Sequence, residues 1–174
     1  MQSPNNTLEW QDGHPVSIAY GDVYFSRESG IDETRHVFLD HNHLQSRWRD
    51  IECKLFTIGE TGFGTGLNFL CAWQLWNSLA PQDARLHFIS TEKYPLSTDD
   101  LRLALALWPE LEPLSAQLLH QYCCLAPGWR RLQFENGRVT LTLLIGDARE
   151  TLRRSLTRGG GLRPSDEPLL NRPL

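Results

Sequence analysis

KLFTIG (residues 54–59) runs straight into ETGFGTG (residues 60–66) and then into LNFLCAWQLWNSL (residues 67–79). The first segment is a short apolar run of the kind that forms a buried strand. The third is an apolar helix that stops before Pro81, because a proline disfavours helical backbone in the residue ahead of it. A buried strand, a glycine-rich turn and a helix in that order begin a strand–helix–strand unit. RLHFIS (residues 85–90) supplies its second strand.

The same grammar extends on both sides. Ser97 stands three residues before Asp100 ahead of LRLALALW, close to a capping box, and predicts a helix of about three turns closed by Pro109. Leu114 to Leu125 reads as another helix. LQFE, Asn136-Gly137 and RVTLTLLIG predict a hairpin with a two-residue loop. Gly146-Asp147 ends that strand and ARETL opens a helix. Upstream, TLEW, PVSIAY and VYFS are strands separated by Asp12-Gly13 and Gly21-Asp22. Residues 29–49 carry helical spacing, with Ser29 or Asp32 as the cap. Alternating strands and helices imply a parallel sheet with helices on its faces. The expected organisation is an N-terminal hairpin and helix over residues 1–50, a strand–helix body over 51–152 and a disordered or frameshifted tail over 153–174. In that tail periodicity gives way to RRSLTRGGGLRPSDEPLLNRPL.

Composition bounds the function. The chain has 174 residues, 40% hydrophobic and 22% charged, and is neither a disordered polymer nor long enough for several domains. No apolar run reaches the ~18 residues of a membrane span, and the start lacks a signal peptide's pattern. A cytoplasmic protein is expected. The cysteines Cys53, Cys71, Cys123 and Cys124 have no zinc spacing and predict buried, reduced thiols, the last two on a partly buried helix. His41-x-His43 does not share a helix face, so no metal site is expected. Residues 1–150 carry a net of −7, and residues 151–174 a net of +3. The acidic body has no electrostatic footprint for nucleic acid of its own.

The loop itself discriminates between ligands. Dinucleotide enzymes use G-x-G-x-x-G to seat a pyrophosphate. Here Gly62, Gly64 and Gly66 alternate with Phe63 and Thr65, and Glu60 precedes them. A carboxylate repels a pyrophosphate and attracts an ammonium. S-adenosylmethionine carries an ammonium, and E/D-x-G-x-G-x-G is the methyltransferase form of the loop. Glu92, after the second strand, is placed to bond ribose hydroxyls, with Lys93 beside it. Asp147, followed by Ala148, is placed to accept from an adenine amine. Each residue also has a plainer reading. The loop is a tight turn, a strand-end acid caps a helix, Asp147 caps the helix at Ala148, Asp22 forms a turn and Tyr24 packs in a core. A nicotinamide-dependent reductase is the reading that Glu60 and the loop spacing disfavour.

Longer segments carry a resemblance. AYGDVYFSRESGIDETRHVFLDHNHLQSRW, FTIGETGFGTGLNFLCAWQLW, HFISTEKYPLSTDDLRLALALWPEL and LTLLIGDARETL cover most of residues 7–152. They resemble the methyltransferase domain of the bifunctional tRNA 5-methylaminomethyl-2-thiouridine biosynthesis (MnmC) enzymes. The resemblance implies a Rossmann-like class I methyltransferase fold with an incomplete parallel sheet. It implies S-adenosylmethionine as cofactor, held by Glu60, Gly62, Phe63, Gly64, Thr65, Gly66, Glu92, Lys93, Asp147 and Ala148. Asp22 and Tyr24 fall in a segment near the family's substrate side. The substrate it implies is the 5-aminomethyl group of a 2-thiouridine at the tRNA wobble position. The family's second, flavin-dependent oxidoreductase domain has no counterpart here, so no flavin is expected. Neither does its Asp-Gly-Phe-x-Pro segment, the one set against the substrate amine, so no catalytic residue is assigned. An inactive remnant or non-catalytic binding module is therefore the rival expectation.

Overall fold

The computed structural model describes residues 8–11, 14–17, 30–123 and 126–157. The elements are β1 (Leu8–Gln11), β2 (His14–Ser17), α1 (Gly30–Glu33), a π-helical segment (Thr34–Asp40), α2 (Leu44–Arg49), β3 (Leu55–Thr61), α3 (Leu67–Leu79), β4 (Arg85–Glu92), α4 (Thr98–Leu105), a 3₁₀ turn (Pro109–Leu111), α5 (Glu112–Gln121), β5 (Gly128–Phe134), a second 3₁₀ turn (Glu135–Gly137), β6 (Val139–Ile145) and α6 (Ala148–Thr157). They fall into two compact units. One comprises Met1–Ile51, Gly64–Ala80 and Tyr94–Cys124, the other Glu52–Phe63, Pro81–Lys93 and Leu125–Leu174.

The first unit holds α1 to α5. Its helix α3 is apolar almost all round, and Leu67, Phe69, Leu70, Cys71, Ala72, Trp73 and Trp76 are buried. Trp48 of α2 meets Trp76 of α3 edge-on, with ring centroids 5.1 Å apart. This is the geometry that aromatic quadrupoles favour. Ser97 caps α4, its hydroxyl accepting from the Asp100 amide at 3.1 Å and donating to the Asp100 carboxylate at 2.8 Å. In the same unit β1 and β2 form an antiparallel pair, with Gln11 opposite His14.

The second unit is the sheet, in the order β3-β4-β6-β5. The pairs β3–β4 and β4–β6 are parallel, and β5 runs antiparallel to β6 along the edge. Phe88, Val139, Leu141 and Leu143 are fully buried, and Ile58, Leu86, Leu132 and Phe134 nearly so. Helix α6 packs on β4 and β6. The architecture is mixed α/β with a parallel core of three strands, as expected.

Several expectations change. Residues 29–49 are not one helix. The run breaks after Asp40, and His43 turns left-handed (φ 53°) ahead of α2. Local bonds reward the break, since the Asn42 side chain donates to the Phe38 carbonyl at 2.8 Å and the Arg47 amide to that of His43 at 3.1 Å. The β5–β6 loop is not the two residues Asn136-Gly137. Phe134 pairs with Val139, leaving four residues between, with Glu135, Asn136 and Gly137 at positive φ. Cys53 and Cys123 are exposed rather than buried, and α5 ends before Cys123. Strands β3 and β4 each run two residues past their apolar runs, and α6 continues to Thr157. Asp22, Tyr24, Cys124 and the tail beyond Thr157 lie outside the described residues.

Candidate functional site

Parallel strands put all their carboxyl ends on one side, and ligands in open α/β sheets bind there. In the sheet unit that edge is built from the ends of β3, β4 and β6. Glu60 pairs in register with Ser90, and Glu92 with Ile145. Paired residues of a parallel ladder share a face, and so do residues two apart on one strand. Glu60, Ser90 and Glu92 therefore stand on the same face. Glu92 is one pleat further along and roughly 8 Å from Glu60 by strand spacings. The Ser90 hydroxyl, fully buried, donates to Oε2 of Glu60 at 2.6 Å. It holds one carboxylate oxygen in place.

Beyond Glu92 the ladder closes with one more bond, from the Gly146 amide to the Glu92 carbonyl at 2.8 Å. Gly146 has φ 138°, and a Cβ there would lie 3.1 Å from Cγ2 of Thr151. The position thus admits only glycine without strain. The turn delivers Asp147 to the start of α6. Its Oδ1 accepts from the Arg149 amide at 3.0 Å, a helix cap. Its Oδ2 lies 3.7 Å from the Lys93 ammonium, across from the end of β4. The cap reading of Asp147 holds for one oxygen, and the carboxylate keeps further acceptor sites.

The glycine loop leaves β3 by turning back on β4. The amides of Gly62 and Phe63 both donate to the Thr91 carbonyl, each at 2.9 Å. These two N–H groups are spent on the backbone rather than left for a ligand. Gly62 itself has φ 85° and, among the described residues, nothing within 4 Å of where a Cβ would stand. The backbone is bare at the crest of the sheet, while Phe63 is buried. Gly64, Thr65 and Gly66 belong to the helical unit. Gly66 turns left-handed (φ 72°) to open α3, and Thr65 is buried.

Sequence spacing singles out Glu60, Glu92, Lys93 and Asp147, and the sheet sets them along one edge. It does not single out Ser90, whose role follows only from its register with Glu60. Among the described residues no group of three or more His, Cys, Asp and Glu is placed to hold a metal. His41 makes an edge-on ring contact with His36 at 4.5 Å. Among the described residues no helix is long and apolar enough to cross a membrane.

No family model matches the chain. It is 63% identical over 141 residues to the tRNA 5-methylaminomethyl-2-thiouridine biosynthesis bifunctional protein MnmC of Methylobacillus flagellatus, covering 81% of this chain and 22% of that protein. The MnmC of Chromobacterium violaceum is 62% identical over 153 residues, 87% of this chain and 23% of that one. The chain is a relative of MnmC. It spans about a fifth of the length of these curated MnmC proteins. Among solved structures, MNMC2 from Aquifex aeolicus superposes with a TM-score of 0.54 at 23% identity, covering 84% of this chain and 44% of that one. That likeness supports a Rossmann-like fold.

Proposed function

We propose that the chain is the cofactor-binding part of an S-adenosylmethionine-dependent methyltransferase acting on the wobble uridine of tRNA, within the tRNA-modifying chemistry that the MnmC name describes. One observation carries the reading: Glu60, Glu92 and Asp147 end three adjacent strands on one sheet edge, beside a bare glycine backbone. Acceptors suit a ligand made of an ammonium, a ribose diol and an adenine amine. A pyrophosphate needs the reverse, donors and positive ends of dipoles.

The residues present fit that group. Glu60, fixed by Ser90, would take the ammonium. Glu92, near the end of the ladder, would accept from the ribose hydroxyls. Asp147, steadied by Arg149 and Lys93, would accept from the adenine amine. When bound, S-adenosylmethionine supplies a methyl carbon on a sulfonium to an amine nitrogen and leaves as the thioether. This chain's share is to bind and orient, which is where most of such a barrier is lowered. Removal of the amine proton needs a base near the substrate, and none of these residues is assigned that role.

Isothermal titration separates the readings. Binding of S-adenosylmethionine, and none of NADH, supports the methyltransferase reading. The reverse supports a reductase.

A further inference from the structure

We propose that the edge strand β5 is an RNA-docking strip, with Trp129 as a stacking platform and Arg130 and Arg131 as phosphate contacts. That the RNA is tRNA rests on the proposed function. The strip itself rests on other observations. β5 lies at the edge of the sheet, with β6 on one side and, among the described residues, no strand on the other. Leu132 and Phe134 are buried, so alternation sends Trp129, Arg131 and Gln133 to the opposite face, where all three are exposed. Trp129 is 53% exposed, unlike Trp48, Trp73, Trp76 and Trp108, which are buried. Arg130, next to it on the other face, is exposed as well.

Charge selects the occupant. Residues 1–150 are strongly acidic, yet no Asp or Glu occurs from Pro113 to Phe134. Within that acid-free stretch the charged groups are Arg130 and Arg131. An exposed indole with cations beside it along the strand is how proteins hold single-stranded nucleic acid: bases stack on the ring and phosphates meet the guanidiniums. Position agrees. Gly128 pairs with Ile145, and Ile145 with Glu92. The strip thus starts two strand spacings, roughly 10 Å, from the acid row. RNA lying there is beside the proposed cofactor edge.

The test is fluorescence anisotropy of the whole chain with a labelled anticodon-arm RNA hairpin over a salt series starting low. R130A/R131A is expected to reduce the slope of log affinity against log salt by about 1.4, taking ~0.7 per phosphate on a single strand. R130K/R131K should keep the slope. W129A should weaken binding about tenfold with the slope unchanged, and W129F should retain most of it. Titration with S-adenosylmethionine should be alike in all variants. Wild-type chain that binds no RNA at low salt overturns the proposal, as do variants that bind like wild type. Concentration-dependent self-association abolished by W129A, with RNA binding indifferent, assigns the strip to protein contact and also overturns it. If RNA binding behaves as expected but S-adenosylmethionine does not bind, the strip stands and the cofactor reading fails.

Discussion

The Ser90 hydroxyl donates a 2.6 Å hydrogen bond to Oε2 of Glu60 from the paired position on the neighbouring parallel strand. A hydrogen bond to a charged group contributes about 1.5–3 kcal/mol. If Glu60 meets an ammonium, Glu60→Gln removes the attraction and is expected to weaken S-adenosylmethionine about tenfold or more. Ser90→Ala leaves the charge and frees its aim, so a loss of a few-fold is expected. Titration calorimetry on the two variants decides it. Equal affinity for Glu60→Gln and the unaltered chain removes Glu60 from the site.

Lys93 and Asp147 make a different kind of pair. Their closest atoms are 3.7 Å apart and both side chains are about half exposed. Solvent-exposed ion pairs of this kind contribute within about 1 kcal/mol. Lys93→Met should therefore leave the urea midpoint almost unmoved. Asp147→Asn should be worse on two counts. It replaces the charged acceptor of the α6 cap with a neutral amide, and it weakens the acceptor proposed for the adenine amine. A loss in cofactor affinity larger than the loss in stability is the expected signature.

Much of this arrangement is legible in the sequence because the informative signals are local. The helix from Leu67 to Leu79 lies between a glycine and a proline, and its bounds follow. The alternation of glycines after an acid marks the loop, and the acids after each apolar run mark the strand ends. What is not legible depends on pairing. Ser90 looks like one more residue of a buried strand until its register sets it against Glu60. The amides of Gly62 and Phe63 look available until the loop folds back to Thr91. The Asn136-Gly137 turn misleads for the same reason. Arg138 and Glu135 add a backbone bond at 3.1 Å and a side-chain contact at 3.4 Å, which moves the closing pair outward to Phe134 and Val139.

The cap of α4 offers a stability test away from the site. Ser97 satisfies the Asp100 amide, one of the orphan donors at a helix start. Ser97→Ala is expected to cost about 1 kcal/mol, and Ser97→Gly only a few tenths. Thermal melting of the two variants reads the difference directly. Thr98 adds a second tie, its hydroxyl donating to the Tyr122 carbonyl at 3.0 Å. Thr98→Val should therefore also destabilise, by removing that bond.

Cys71 gives the fold a pH dependence with a definite sign. It is 1% exposed, and burial raises its thiol from 9.0 to about 12, with Arg35 opposing and Glu110 adding to the rise. In the unfolded chain the thiol gives up its proton near the ordinary value, whereas in the folded chain it keeps it. Between about 9 and about 12 the unfolded state therefore binds fewer protons, and stability falls as pH rises. Below that window the contribution is fully present. Urea unfolding from pH 8 to pH 10 should show a steeper loss for the unaltered chain than for Cys71→Ala. A thiol reagent at pH 8 should label exposed Cys53 and Cys123 in the folded chain and reach Cys71 only on unfolding. Labelling of Cys71 in the folded chain at the rate of Cys53 would contradict the burial of α3 on which this argument rests.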